Sequence, residues 1–299
     1  MISSATEIVH ALGLGAFQVG RSHECDYPAG IAQLPICTRP TFDVGGTSAE
    51  IDRLVKSRVA DALSIYEVDP ALIRELRPTH IITQTQCKVC AVSLEDVERA
   101  LRIESGVDAQ VIALEPYALA DLWTDIARIA AACGYDEAGE ALTASLQARM
   151  REIETRAEGA GVRPSVAALE WLEPLMAAGN WVPELIEMAG GRNLFGVAGK
   201  HSPFMTFEQL CAEDPDCIVA LPCGFDMHRT RAEMHWMMGR AGWEELRAVK
   251  SNRVYVCDGN QFMNRPGPRL LESLQIFAEI LHPDLFEPKL RSVGWDTFE

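Results

Sequence analysis

Cys87-Lys-Val-Cys90 is the tightest chemical constellation in the chain, two thiols separated by two residues. Thiols so spaced bind soft metals, exchange electrons as a dithiol, or pack as small hydrophobes. A structural zinc site wants four ligands, normally from paired knuckles, and there is no second Cys-x-x-Cys. His23 and Cys25, with Cys37 nearby, could complete one, which makes His23, Cys25, Cys87 and Cys90 the candidate metal ligands. A thioredoxin-type dithiol would open a helix in a different topology, so packing in a cleft is the simpler reading of the motif. His228 and His235 would share one face if their segment were helical. No carboxylate joins them at helical spacing, and ordinary surface or core placement accounts for both. His201, between Lys200 and Pro203, is equally unspecific.

Enzymatic grammar is sparse. Gly13-Leu-Gly15, Gly45-Gly46 and Gly190-Gly191 lack the strand–glycine–helix order that cradles phosphate. Neither a G-x-S-x-G elbow nor an H-E-x-x-H helix occurs. No catalytic residue is therefore assigned, and a Cys87 nucleophile with a distant histidine is the residual enzymatic alternative. The loops expected at strand ends instead carry rings and amides: Tyr27, Gln86, Cys87, Trp171, Asn180, Trp181, Phe225, Phe262, Asn264 and Arg265. Rings with a few amides suit a large, flat, partly apolar ligand better than a small charged metabolite. The plainer alternative is that these rings cap their own lobes.

The elements that would position these residues alternate helix with strand. Ser3-Ser4 reads as a helix cap with Glu7 in an acidic first turn, and Gly13 and Gly15 close the helix. Phe17–Arg21 reads as a short strand, 38–50 as a loop, 50–62 and 69–77 as helices, and 80–83 as a buried strand. A helix is expected near 94–104 and a strand at 110–114. Two long helical segments split at Gly134 follow, the second carrying Leu142, Leu146, Met150 and Ile153 as one stripe. Strands at 165–169, 217–221 and 253–257, with helices at 182–190 and 268–281, restart the pattern. Short connections between alternating elements imply mainly parallel sheets covered on both faces. The expected fold class is α/β, with lobes at 1–135 and 160–299 joined by a long helix at 136–159.

With 27 basic and 43 acidic residues the formal charge is −16, which repels phosphate backbones and anionic lipid surfaces. Neither nucleic-acid binding nor membrane insertion is expected, because no apolar run approaches the ~20 residues of a membrane span. The nine cysteines are odd in number and scattered, unlike a secreted disulfide scaffold. The first twenty residues lack a basic leader and a cleavage site, so the chain as given reads as cytoplasmic; an omitted upstream leader would make it periplasmic or cell-surface.

The run SATEIVHALGLGAFQVGRSHECDYP resembles the opening of the iron-chelate and cobalamin substrate-binding proteins of ABC importers. The blocks LIRELRPTHIIT, MAGGRNLFG, FEQLCAEDPDCIVAL, WEELRAVKSNRVYVCDG and NRPGPRLLESL continue that resemblance in order over nearly the whole chain. It implies two α/β lobes joined by a rigid helix, a ligand cleft between them, and no catalysis. It also implies ligand contacts from Tyr27, the 84–87 loop, Gly179-Asn180-Trp181, Phe204 and the 262–265 loop. Glu208 matches one of two acidic residues that dock an ABC permease in that family, and Ala71 stands where the other is expected. Truncating one partner of an interfacial charge pair costs roughly 2–5 kcal/mol, so Ala71 weakens such a dock. The resulting expectation is an atypical, leaderless member that binds a corrinoid or metal chelate for transport, delivery or sensing. It requires no cofactor, since the corrinoid or chelate is cargo. An importer subunit whose leader is missing, and a cysteine-based metal or redox protein on the same scaffold, are the alternatives.

Overall fold

The computed structural model describes residues 2–60, 65–85, 97–98, 101 and 105–298. Two compact units are formed, one from Met1–Pro116 with Ala120–Ala144 and one from Tyr117–Leu119 with Ser145–Glu299.

In the N-terminal unit, α1 (Ser3–Ala11) begins after an extended Ile2, and no side chain caps it. The expected serine cap is replaced because Ser3 and Ser4 lie inside the helix and are buried. The polar atoms of this face serve internal bonds: Thr6 Oγ1 lies 3.2 Å from Cys25 Sγ and accepts from Gln18 Nε2 at 3.0 Å. The strand expected at 17–21 does not form. Gly15–Phe17 is a 3₁₀ turn, the Gln18 side chain donates to the Gly20 carbonyl at 3.0 Å, and Arg21 makes a single bridge to Ile36. The loop expected from residue 38 opens instead as β1 (Thr38–Pro40), antiparallel to β2 (Tyr66–Val68). Pro40, lacking an N–H, suits the end of so short a ladder.

Helix α2 (Ser48–Ala60) starts earlier than its apolar pattern suggests because Thr47 and Glu50 form a capping box. The Thr47 N–H donates to Glu50 Oε2 at 2.8 Å and the Glu50 N–H to Thr47 Oγ1 at 3.3 Å. Helix α3 (Pro70–Leu76) is capped by Asp69, which accepts from the Leu72 N–H at 3.0 Å. Strands β3 (His80–Gln84) and β4 (Gln110–Leu114) pair in parallel. Ile73, Ile81, Val97 and Leu101 make the core beside them. Most of the helix expected at 94–104 lies outside the described residues. Helix α4 (Leu119–Cys133) buries Leu122, Ile126, Ile129 and Ala130 at helical spacing. Helix α5 (Asp136–Glu158) crosses it closely, since a Cβ on Gly139 would sit 2.6 Å from Ala130 Cβ.

The C-terminal unit is built on one sheet, ordered β10-β9-β8-β5-β6 with β7 also on β5. β5 (Ser165–Leu172), β8 (Cys217–Ala220) and β9 (Val254–Cys257) run parallel, and β8 and β9 are buried along their whole length. Strands covered on both faces read as continuous apolar runs, which is why these three are legible in the sequence. β6 (Leu175–Ala177), β7 (Arg192–Asn193) and β10 (Trp295–Thr297) are not among the expected elements. Helices α6 (Val182–Met188), α7 (Phe207–Glu213), α8 (Met227–Glu233), α9 (His235–Met238), α10 (Arg247–Lys250) and α11 (Leu270–Leu281) complete the unit. α8 and α9 are separate segments divided at Met234, so exposed His228 and His235 do not share one helix. Leu172, Leu175, Met205, Phe207 and Leu210 belong to the core on one face of the sheet. Among the described residues no helix is long and apolar enough to cross a membrane.

Candidate functional site

The hairpin β5–β6 and the segment beyond it place three side chains in register. Trp171 pairs with Met176 across the hairpin, and Met176 pairs with Phe204 on its other side. Directly opposed residues share a face, and side chains alternate along a strand. Because Leu172, Leu175 and Met205 point into the core, Trp171, Met176 and Phe204 occupy the opposite face. Phe204 is 61% exposed, and Trp171 and Met176 are half-buried. Phe225 stands behind Trp171 with ring centroids 5.2 Å apart, and the Arg229 guanidinium lies 3.7 Å from the Phe225 centroid. The result is a sulfur- and ring-lined platform with a cation beside it, suited to a broad apolar surface with polar substituents.

Phe204 is held by the turn at 178–180. The Asn180 N–H donates to the Lys200 carbonyl at 2.7 Å, the Gly199 N–H donates to the Asn180 carbonyl at 3.0 Å, and Ser202 Oγ accepts the Gly179 N–H at 3.0 Å. A Cβ on Gly179 would lie 2.5 Å from the Lys200 carbonyl oxygen, so only glycine permits this approach. Asn180 takes the left-handed conformation at φ 51°. Lys200 and His201 are exposed on this loop.

The other expected ligand residues of this unit are engaged within it. Trp181 is 5% exposed, and its Nε1 donates to the Met263 carbonyl at 3.0 Å. Phe262 is buried, with its carbonyl accepting from Ser273 Oγ at 2.6 Å. Asn264 Nδ2 donates to the Leu221 and Gly259 carbonyls, each at 3.0 Å. Arg265 is buried and donates to Asn260 Oδ1 at 2.9 Å. Asp258 accepts from the Gln261 N–H at 2.6 Å and anchors the π-helical turn Gly259–Met263, and burial raises its carboxyl despite that bond. These residues build the two turns beyond β8 and β9. Met176 is the platform member that sequence reasoning missed. Its signal is the mirrored order Trp171-Leu172 and Leu175-Met176 about Glu173-Pro174.

In the N-terminal unit Tyr27 is 45% exposed. Gln86, Cys87 and Cys90 lie outside the described residues, so the expected cysteine site is represented only by His23 and Cys25. His23 Nδ1 is 2.8 Å from Thr38 Oγ1, and burial lowers the His23 pKa. Among the described residues no group of three or more His, Cys, Asp or Glu is placed to hold a metal ion. Beyond the carboxyl end of β4, Asp125 of α4 is buried, and its Oδ2 has no hydrogen-bond partner. Burial drives this carboxyl up to about 7 against the pull of Arg128 at 3.6 Å.

Glu208 is the second residue of α7, after a capping box in which Gln209 Oε1 accepts the Thr206 N–H at 2.8 Å. Its exposed carboxyl is held below the usual range by its own backbone N–H and the Thr206 hydroxyl. Ala71 is the second residue of α3 and is exposed as well.

The chain is 22% identical over 296 residues to the uncharacterized ABC transporter substrate-binding lipoprotein YvrC of Bacillus subtilis, covering 96% of this chain and 80% of that one. It is 22% identical over 272 residues to the vitamin B12-binding protein of Vibrio cholerae, covering 91% and 83%. The periplasmic heme binding protein of Pseudomonas aeruginosa shares the fold with a TM-score of 0.70 at 20% identity, over 95% of this chain and 91% of that one. The two-lobed α/β class expected from the sequence is thus the fold found. Residues 2–261 match the profile described as "Periplasmic binding protein", and the chain belongs to that family.

Proposed function

We propose that this protein binds a bulky metal chelate or corrinoid without catalysis, seating it on the Trp171–Met176–Phe204 platform. The observation that carries this reading is the cross-strand register, which puts the three side chains together on the face away from the core. Such a surface offers area and polarisable contacts but no nucleophile–base pair, so it favours capture over turnover. The printed functions of the relatives, vitamin B12 and heme binding, support a flat metal-centred ligand. Arg229, Lys200 and His201 would meet polar substituents at its rim. Tyr27 and the 84–87 loop would supply contacts from the N-terminal unit, with Gly179, Asn180, Trp181, Phe225, Phe262, Asn264 and Arg265 as the frame that positions the surface.

The name of the Bacillus relative favours service to an ABC importer, with Glu208 as a docking charge and Ala71 as a weakened second contact. A cytosolic carrier would use the same surface without that dock. The decisive experiment titrates the purified protein with cobalamin, cobinamide, heme and ferric chelates by calorimetry and visible absorbance. Micromolar or tighter binding of one of these, weakened roughly tenfold by Phe204→Ala, is the expected outcome. Binding indifferent to Phe204→Ala, or no binding at all, overturns the reading.

A further inference from the structure

We propose that Arg240 is a positioning residue for the bound ligand: it fixes the turn between β5 and β6, and through that turn the indole of Trp171. This role rests on the platform proposed above, of which Trp171 is one edge.

Trp171 stands where the sheet itself gives little orientation. The register of β5 on β6 shifts between Leu169 and Trp171, and β6 is only three residues long. A shift of this kind interrupts the ladder and re-aims the neighbouring side chain. The indole is tied instead to the turn, since its Nε1 donates to the Glu173 carbonyl at 3.1 Å. Glu173 and Pro174 alone connect the two strands, so whatever holds Glu173 decides where that carbonyl lies.

Arg240 reaches this turn from 67 residues further along the chain. Its Nη2 donates to Glu173 Oε2 at 2.7 Å, and the two side chains are 33% and 31% exposed, so the pair is partly withdrawn from water. Ion pairs in the open contribute little, because two long side chains must be ordered to form them. Here much of that ordering is already done. The Arg240 Nε donates to the Trp236 carbonyl at 3.2 Å, its guanidinium carbon lies 5.7 Å from the Phe207 centroid, and its backbone carbonyl accepts the Trp243 N–H at 3.2 Å. Phe207 and Trp243 are buried in the core, and Trp236 packs against it. The guanidinium is therefore a fixed post built on the core, and its planar fork of donors holds the Glu173 carboxylate to it.

A double-variant cycle tests the assignment, read by calorimetric titration of the intact protein with heme and with cobinamide. Arg240→Gln is expected to weaken binding about fivefold in the parent and less than about twofold in a Trp171→Phe background, because that ring has no N–H to be placed. Glu173→Gln should reproduce the loss, and combining it with Arg240→Gln should add less than about twofold, since both remove one bond. Arg240→Lys keeps the charge without the fork and should recover part of the affinity. Urea denaturation of each variant shows how much folded protein remains, and a merely structural role would lower affinity by the same factor in both backgrounds. Equal loss in the two backgrounds overturns the assignment, as does parental affinity in Arg240→Gln. In either case weaker binding by Phe204→Ala leaves the platform standing. Failure of the parent to bind either probe removes the platform and the role of Arg240 together.

Discussion

Phe204 and Trp181 are both rings in loops beyond strand ends, and their side chains face opposite demands. Phe204 leaves most of its surface in water and bridges to Met176. Trp181 is enclosed and gives its one polar atom to the Met263 carbonyl. Phe204→Ala is accordingly expected to leave urea stability within about 0.5 kcal/mol while weakening ligand binding, since truncating an exposed side chain opens no cavity. Trp181→Ala is expected to cost about 3–5 kcal/mol, combining lost transfer energy with a cavity. Urea denaturation run beside calorimetry separates the two, because binding lost in the Trp181 variant should track loss of folded protein. Asp125 gives a second test at this scale. Its carboxyl titrates near 7 when folded and near 3.9 when unfolded, so the folded state holds the extra proton between those values. Stability attributable to this group therefore falls as pH rises from about 4 through about 7, and stays at the lower level above. Asn cannot ionise, so the melting temperature of Asp125→Asn relative to the parent is expected to rise from about pH 5 to about pH 8. A flat difference across that range would show that Asp125 stays ionised throughout.

The elements explain why some of this was legible beforehand. β8 and β9 are covered on both faces and appear in the sequence as unbroken apolar runs, as do the long helices through their spacing. β6 and β7 are three and two residues long, too short for any period to show, and β6 exists because the turn at Glu173-Pro174 folds it back on β5 and Phe204 pairs behind it. The 17–21 segment misled because its apolar alternation suits a strand, whereas the Gln18 side chain takes the Gly20 carbonyl that a ladder would need. For the proposed ligand surface, residue type picks out the rings but not their burial. Aromatics that frame a site and aromatics that line it have the same composition, and only register distinguishes them. The turn at 178–180 tests this view of framing. Gly179→Ala would drive its Cβ into the Lys200 carbonyl and displace the loop that carries Phe204. It is expected to lower stability by about 1–3 kcal/mol and weaken ligand binding as well. A variant with parental affinity would show that the clasp does not position Phe204.

At the scale of the molecule, the two compact units have separate cores, one around Ile73 and Ile81 and one on the C-terminal sheet. Ligand that seats on the C-terminal platform should raise that unit's melting temperature by mass action. Glu208 is exposed at the start of α7, so charge reversal by Glu208→Lys is expected to leave ligand affinity unchanged while weakening the importer contact proposed for it, measured by co-purification with a candidate permease. The tryptophans are distributed unevenly: Trp171, Trp181, Trp236, Trp243 and Trp295 belong to the C-terminal unit, and Trp123 alone to the other. Intrinsic fluorescence is thus a lopsided reporter that follows one half of the protein, while far-ultraviolet dichroism follows the helices of both. Overlaid melting curves from the two signals would mark a single cooperative transition, and separated curves would time the halves individually without a label.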